Sequence, residues 1–190
     1  MKDVVKYMKG KDFVKKILEG ERDFSSIKLE DSFNLSGFKG FEDLQRYLKK
    51  ADLRHYPIIL NYAELIYIKA SGLYLPYVNG RKINLERANL PRANLREANL
   101  ERANLPRANL REANFWGANF LGANLEKANL ERANLPRANL REANLERANL
   151  YRANLRGADL QEANLREANL REANLQEAIL RGANFWGSKH

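Results

Sequence analysis

No cysteine occurs anywhere in the 190 residues, and histidine occurs only twice, at His55 and His190. The first absence removes disulfide bridges and thiol chemistry, and it fits a cytoplasmic setting. The second leaves no carboxylate–histidine spacing of the kind that holds zinc, so no metal site is expected. There is no run of about 18 apolar residues, which argues against a transmembrane span. The start, MKDVVKYMKGKDF, carries too much charge for a secretory signal. A glycine-rich phosphate loop, a GxSxG elbow and a Walker sequence are all missing, so neither an enzyme nor a bound cofactor is expected.

What is present is one five-residue phrase, repeated almost without interruption from Ile83 to Trp186. One copy reads Ala88-Asn89-Leu90-Pro91-Arg92 and the next reads Ala93-Asn94-Leu95-Arg96-Glu97. Every fifth position from Leu85 to Phe185 is Leu or Phe. A helix cannot use this period: five residues turn it about 140° past a full rotation, so the Leu column would spiral around it and form no apolar face. Pro91, Pro106 and Pro136 would each cost such a helix roughly 3 kcal/mol. A straight strand fails as well, because five is odd and successive Leu side chains would point to opposite faces. Only a chain that turns one corner per phrase keeps every Leu inside, and that is a β-helical coil. In it Leu or Phe fills the lumen, and Ala fits the corner where a larger side chain would clash. Asn suits bent backbone by bonding nearby main-chain groups, and the last two slots face water.

The tandem A-N-L-x-x phrases resemble the pentapeptide-repeat family over at least residues 83–187. The resemblance implies an all-β solenoid, a right-handed quadrilateral β-helix with four phrases per coil, and therefore about five coils in this stretch. It also offers a functional alternative, because some members mimic double-stranded DNA and bind DNA gyrase, conferring quinolone resistance. Those mimics are strongly acidic, whereas residues 81–190 here carry 19 basic and 13 acidic side chains, a net charge of +6. Residues 1–80 carry 14 and 11, for +3. The excess is spread along the rod.

Ahead of the repeats, residues 1–20 read as a helical cap, with Val4, Val5, Met8, Phe13, Val14, Ile17 and Leu18 at three- and four-residue spacings. Gly10 divides the two apolar clusters and Gly20 suits a C-cap. A cap that covers the first coil's strand edges is the simpler role; an amphipathic membrane or partner helix is the other. Residues 21–57 read as a degenerate first coil carrying a helix at about 41–51, packed by Phe41, Leu44, Tyr47, Leu48 and Ala51 as an insertion on the rod's side. The repeat frame resumes at Ile58 and runs to 187, with bulkier side chains in the alanine slots of residues 58–82, and 188–190 form a tail. Tyr56, Tyr62, Tyr67, Tyr74 and Tyr77 lie mostly on outward slots there, either beneath the inserted helix or as a recognition surface.

Stacking at twenty residues puts Arg87, Arg107, Lys127 and Arg147 in one outward column, with Glu86, Glu126 and Glu146 beside it. Such a column could contact phosphates or an acidic protein groove; with its Glu neighbours it also forms a self-neutralising face. The block ERANLPRANLREAN recurs at Glu86, Glu101 and Glu131, at offsets that are not multiples of twenty, so copying carried the same side chains to different faces. Trp116 and Leu121, each followed by Gly, are outward apolar exceptions and a candidate protein-docking spot. At the far end Phe185 and Trp186 precede only Ser188, Lys189 and His190 after Gly187, and an open strand edge there invites end-to-end homodimerisation. The residues thus point to a non-enzymatic protein-interaction or spacer rod. DNA mimicry and anion or nucleic-acid binding through the basic columns are the alternatives.

Overall fold

The computed structural model describes residues 5–30 and 32–190. From Ile58 onward the chain is a right-handed quadrilateral β-helix, in which each Asn-slot residue forms a parallel bridge with the residue twenty positions later. The four faces can be followed from their first members. The first runs Asp23, Ile59, Asn79; the second Lys28, Glu64, Asn84; the third Asn34, Lys69, Asn89; and the fourth starts at Tyr74 and continues to Asn94.

Within a phrase every backbone donor is accounted for. In the phrase from Ala123 to Lys127, Ala123 N–H closes the preceding β-turn onto Phe120 O, while Asn124 N–H donates to Ala103 O of the previous coil. Leu125 and Lys127 donate forward to Asn144 O and Glu146 O. The remaining donor, Glu126 N–H, is met by the Asn124 side chain, its Oδ1 accepting at 3.1 Å. This one slot has no backbone acceptor, and it is where Pro91, Pro106 and Pro136 stand, so proline removes no ladder bond. The following slot is left-handed: every fifth residue from Tyr62 to Gly187 has φ between 54° and 73°, as the second central position of a type II turn requires.

The lumen is filled by the Leu and Ala columns, buried from Ala88 through Leu170. Phe115 and Phe120 meet edge to face at 5.0 Å between ring centres, on neighbouring faces of one coil. In residues 58–82, Ile58, Ile68, Leu73 and Val78 occupy alanine slots. Two phrases there exchange large and small between the slots, Ile68 with Ala70 and Val78 with Gly80, whereas Ile58 with Leu60 and Leu73 with Leu75 are large in both.

Two differences from the sequence reading concern the cap. The helical turn expected around Val4 lies outside the described residues. From Lys6 to Met8 the chain is a strand, β1, paired in parallel with β2 (Ile27–Leu29), Tyr7 opposite Lys28. Tyr7 favours that extended backbone, and the edge of the second face offers it partners. Gly10 opens helix α1 (Gly10–Leu18) instead of dividing it, and the chain leaves α1 through Gly20 at φ +98°. The second difference is the place of α2 (Phe41–Lys50). It does not lie on the rod's side. Leu44 and Leu48 line the end of the lumen with Phe13 and Ile17 of α1 and with Leu35, Leu60 and Leu65. The helix stands where the first coil lacks its fourth side. Gln45, only 6% exposed, accepts the Tyr74 N–H at 2.8 Å through Oε1, the bond that a strand of the missing side would have made.

The asparagines also form ladders along the rod. Asn104 Nδ2 donates to Asn84 Oδ1, Asn124 to Asn104 and Asn144 to Asn124, at 3.1, 3.1 and 3.3 Å. Asn104 and Asn124 therefore each have an Asn on either side in the ladder, but only Asn124 also serves a backbone donor, because Pro106 has none. Asn124→Ala is expected to destabilise the rod by about 0.5–1.5 kcal/mol more than Asn104→Ala, the net value of one hydrogen bond. Chemical denaturation of the two variants measures the difference; equal losses would show that the turn bond contributes nothing.

Candidate interaction surface

The corners carry the side chains that a partner would meet. Arg87, Arg107, Lys127 and Arg147 follow one another at the corner between the second and third faces, each in the left-handed slot. Their charges are largely engaged. Arg87 lies 3.7 Å from Glu86 and donates to the Tyr67 hydroxyl, Lys127 contacts Glu126 at 2.6 Å, and Arg147 holds Glu167 through two bonds of 2.7 and 3.3 Å. Arg107 has no carboxylate within 4 Å among the described residues. The same pattern recurs on other corners, as Arg92–Glu112, Arg152–Glu172 and Arg156–Glu177. One coil carries Glu162, Glu167, Glu172 and Glu177 in its four left-handed slots, and three of these meet arginines of the preceding coil.

Trp116 is half-buried, with the Arg96 guanidinium 4.4 Å from its ring centre and Arg96 in turn 3.1 Å from Glu97. Leu121 is half-buried at the next corner. Their glycines serve the backbone: Gly117 and Gly122 have φ of +64° and +62°. Trp116 and Leu121 thus bound the first face of one coil, away from the arginine column. In the last coil Phe185 is half-buried and Trp186 is 67% exposed, with Arg166 over the Trp186 ring. Of the tyrosines, Tyr74 and Tyr77 pack against the core, while Tyr56, Tyr62 and Tyr67 are exposed. Among the described residues no group of three His, Cys, Asp or Glu is placed to hold a metal ion, and no helix is long and apolar enough to cross a membrane.

A family model described as pentapeptide repeats matches residues 81–187 in four overlapping segments, more than half of the chain. The chain belongs to the pentapeptide-repeat family. No curated protein matches it. Among solved structures the rod is similar to HetL, a pentapeptide-repeat protein involved in heterocyst differentiation regulation in the cyanobacterium Nostoc. The two share 26% identity over 96% of this chain and 94% of that one, with a TM-score of 0.40. It is similar to Rfr23, from the cyanobacterium Cyanothece, with 31% identity over 66% and 90% and a TM-score of 0.34. A trypsin-treated form of QnrB1, a plasmid-mediated fluoroquinolone resistance protein, covers 89% and 85% at 17% identity with a TM-score of 0.55, a likeness of fold.

The engaged pairs give the pentapeptide rod a defined acid response. Hydrogen bonds from Arg147, Arg152 and Arg156 hold the carboxyls of Glu167, Glu172 and Glu177 below their ordinary value of 4.5; Arg92 and Lys127 do the same for Glu112 and Glu126. A carboxyl depressed in the folded state adds stability above its unfolded value and loses it as pH falls through the folded one. The melting temperature is therefore expected to hold from neutral pH to about 5 and to fall below that. Replacing Arg147, Arg152 and Arg156 by Ala should shallow the fall. An acid limb unchanged in that variant would show that these pairs do not carry it.

Proposed function

We propose that this chain is a non-catalytic scaffold, a pentapeptide-repeat rod whose corners dock a protein partner. The observation that carries the reading is the pair of phrases from Ala113 to Gly122, half of one coil. Its two corners, Trp116-Gly117 and Leu121-Gly122, carry no charge, whereas the corners just before and after them bear Arg96-Glu97, Glu101-Arg102, Arg137 and Arg141-Glu142. Aromatic anchors in such a setting dominate interface energies, and the arginine column from Arg87 to Arg147 borders the second face beyond Leu121. DNA mimicry directed at gyrase is disfavoured by the net +6 of residues 81–190, and a supercoiling assay tests it directly. Affinity capture from source-cell lysate, with and without nuclease, tests the main reading. It expects a protein that survives nuclease and is lost with Trp116→Ala or Arg107→Glu. Capture abolished by nuclease would replace it with nucleic-acid binding.

A second reading concerns self-association. In the last coil Ile179, Leu180 and Trp186 are exposed; one coil earlier Asp159 and Leu160, which match Ile179 and Leu180, are half-buried and buried. The N–H groups of Leu175, Leu180 and Phe185 find no backbone acceptor among the described residues. In a chain that ends at His190, two such ends would cover each other's lumen. Sedimentation at rising concentration is expected to show a dimer that Leu180→Glu dissociates; a monomer at every concentration would overturn the idea.

A further inference from the structure

Apart from Leu18 and Tyr56 on the cap, the exposed large apolar side chains among the described residues gather at two places. One is the last coil. The other is the N-terminal end of the second face, where Val5, Tyr7, Tyr62 and Tyr67 are exposed. The ladder places them together. Tyr7 pairs with Lys28, Lys28 bridges Glu64, and Glu64 bridges Asn84, four consecutive strands of one face. Tyr62 and Tyr67 hold the left-handed slots at the two corners of the Glu64 strand. Each ring has a cation over it: Lys28 over Tyr7 at 5.8 Å, Lys82 over Tyr62 at 5.4 Å and Arg87 over Tyr67 at 5.6 Å. Along the repeat the left-handed slots hold mostly Arg, Glu, Lys or Gly, so tyrosines on both of these corners are not a default of the turn; in the same coil Gly72 meets the requirement without a side chain and Tyr77 does so packed against the core.

The charge on this patch is unbalanced. Glu64, Glu86 and Glu101 are each taken up by a cation already there, Lys28 at 3.2 Å, Arg87 at 3.7 Å and Arg81 at 3.2 Å. Lys82 and Arg107 have no carboxylate within 4 Å among the described residues. The interleaved carboxylates repel a phosphate backbone, and the stacked cations already occupy one side of each ring, where bases would stack. Tyrosine and arginine are instead the side chains that concentrate binding energy between proteins.

We propose that this tyrosine-lined end of the second face docks an acidic segment of a partner protein. The tyrosines bury the segment's apolar side chains, and Lys82 and Arg107 receive its carboxylates. The inference rests on the reading of the chain as a protein-binding rod and adds a place and a chemistry to it. The test is a fluorescence-anisotropy titration of the full chain with three labelled probes: a peptide of three Asp-Phe-Glu-Leu units, its counterpart with Lys in place of the acids, and a thymidine oligonucleotide of equal length. The acidic peptide is expected to bind, with Tyr62→Ala/Tyr67→Ala and, separately, Lys82→Glu each weakening it about tenfold. Arg132→Ala, on another corner, should leave it unchanged, and circular dichroism confirms the fold of each variant. No binding of the acidic peptide, equal binding of both peptides, or an unchanged affinity in the tyrosine variant would overturn the proposal. Tighter binding of the oligonucleotide would overturn it in favour of nucleic acid. None of these outcomes touches a partner captured through Trp116, so failure here and failure of the scaffold reading are read separately.

Discussion

For phrases to stay in register on four faces, the chain must change direction after every fifth residue, and it does so through backbone that glycine alone adopts freely. From Tyr62 to Gly187 the last slot of each phrase is left-handed, yet most of these slots hold Arg, Glu, Lys or Tyr. Each such residue carries a strain of roughly 1–2 kcal/mol. The N–H of that residue reaches the next coil, as Arg107 N–H reaches Glu126 O at 2.8 Å, and the central residue beside it makes a second bond in the same direction. The strain is offset only when a neighbouring coil supplies both acceptors. An isolated coil would keep the strain and lose the bonds, which makes the rod cooperative between neighbours.

The same constraint organises the other slots. A corner so tight leaves one backbone donor facing outward, and the Asn side chain meets it while its amide joins the ladder above and below. Where Pro stands in that slot the donor is gone and the Asn keeps only its ladder role. Inside, alanine fits beside leucine along most of the rod; Ile68 and Val78 in the alanine slot come with Ala70 and Gly80 in the central one, while the first coils also hold Ile58 with Leu60, Leu73 with Leu75 and Ile83 with Leu85. Packing at near-crystalline density allows such exchanges of position.

Much of this was legible in the residues. The five-residue period excluded helix and straight strand, and the family resemblance added the number of faces. The resumption of the frame at Ile58 followed from phase alone. The Asn role was legible as a local bond, but its ladder was not, because a ladder depends on the number of phrases per coil. The left-handed slot stayed hidden for a related reason: Arg and Glu carry no turn signature, and only Gly117, Gly122 and their like hinted at it. Around the cap, local pattern met tertiary context and lost. Val5 and Met8, three apart, would share a face on a helix, but the open edge at Lys28 drew the segment into a strand that buries Met8 and leaves Val5 exposed. Leu44 and Leu48 announced a helix with one buried face, but not which surface buries it. The missing fourth side of the first coil settled that, and Gln45, polar on an apolar face, was the signal that could have pointed to it.

A rod built by copying makes its own function hard to see, since the block ERANLPRANLREAN lands on three different faces and its charges pair wherever they fall. Selection for a partner cannot show in what copying reproduces; it can show only where a slot departs from the phrase without structural need. Phe115 and Phe120 depart but fill the lumen, and Gly117 and Gly122 depart but relieve backbone. Tyr62 and Tyr67 depart at a left-handed position, outside the core, where glycine would carry less strain and arginine or glutamate is the usual occupant. A cation of the next coil stacks on each ring, and both side chains still remain exposed. With the uncharged corners at Trp116 and Leu121, these tyrosine corners are where the proposed docking departs from what a bare spacer needs.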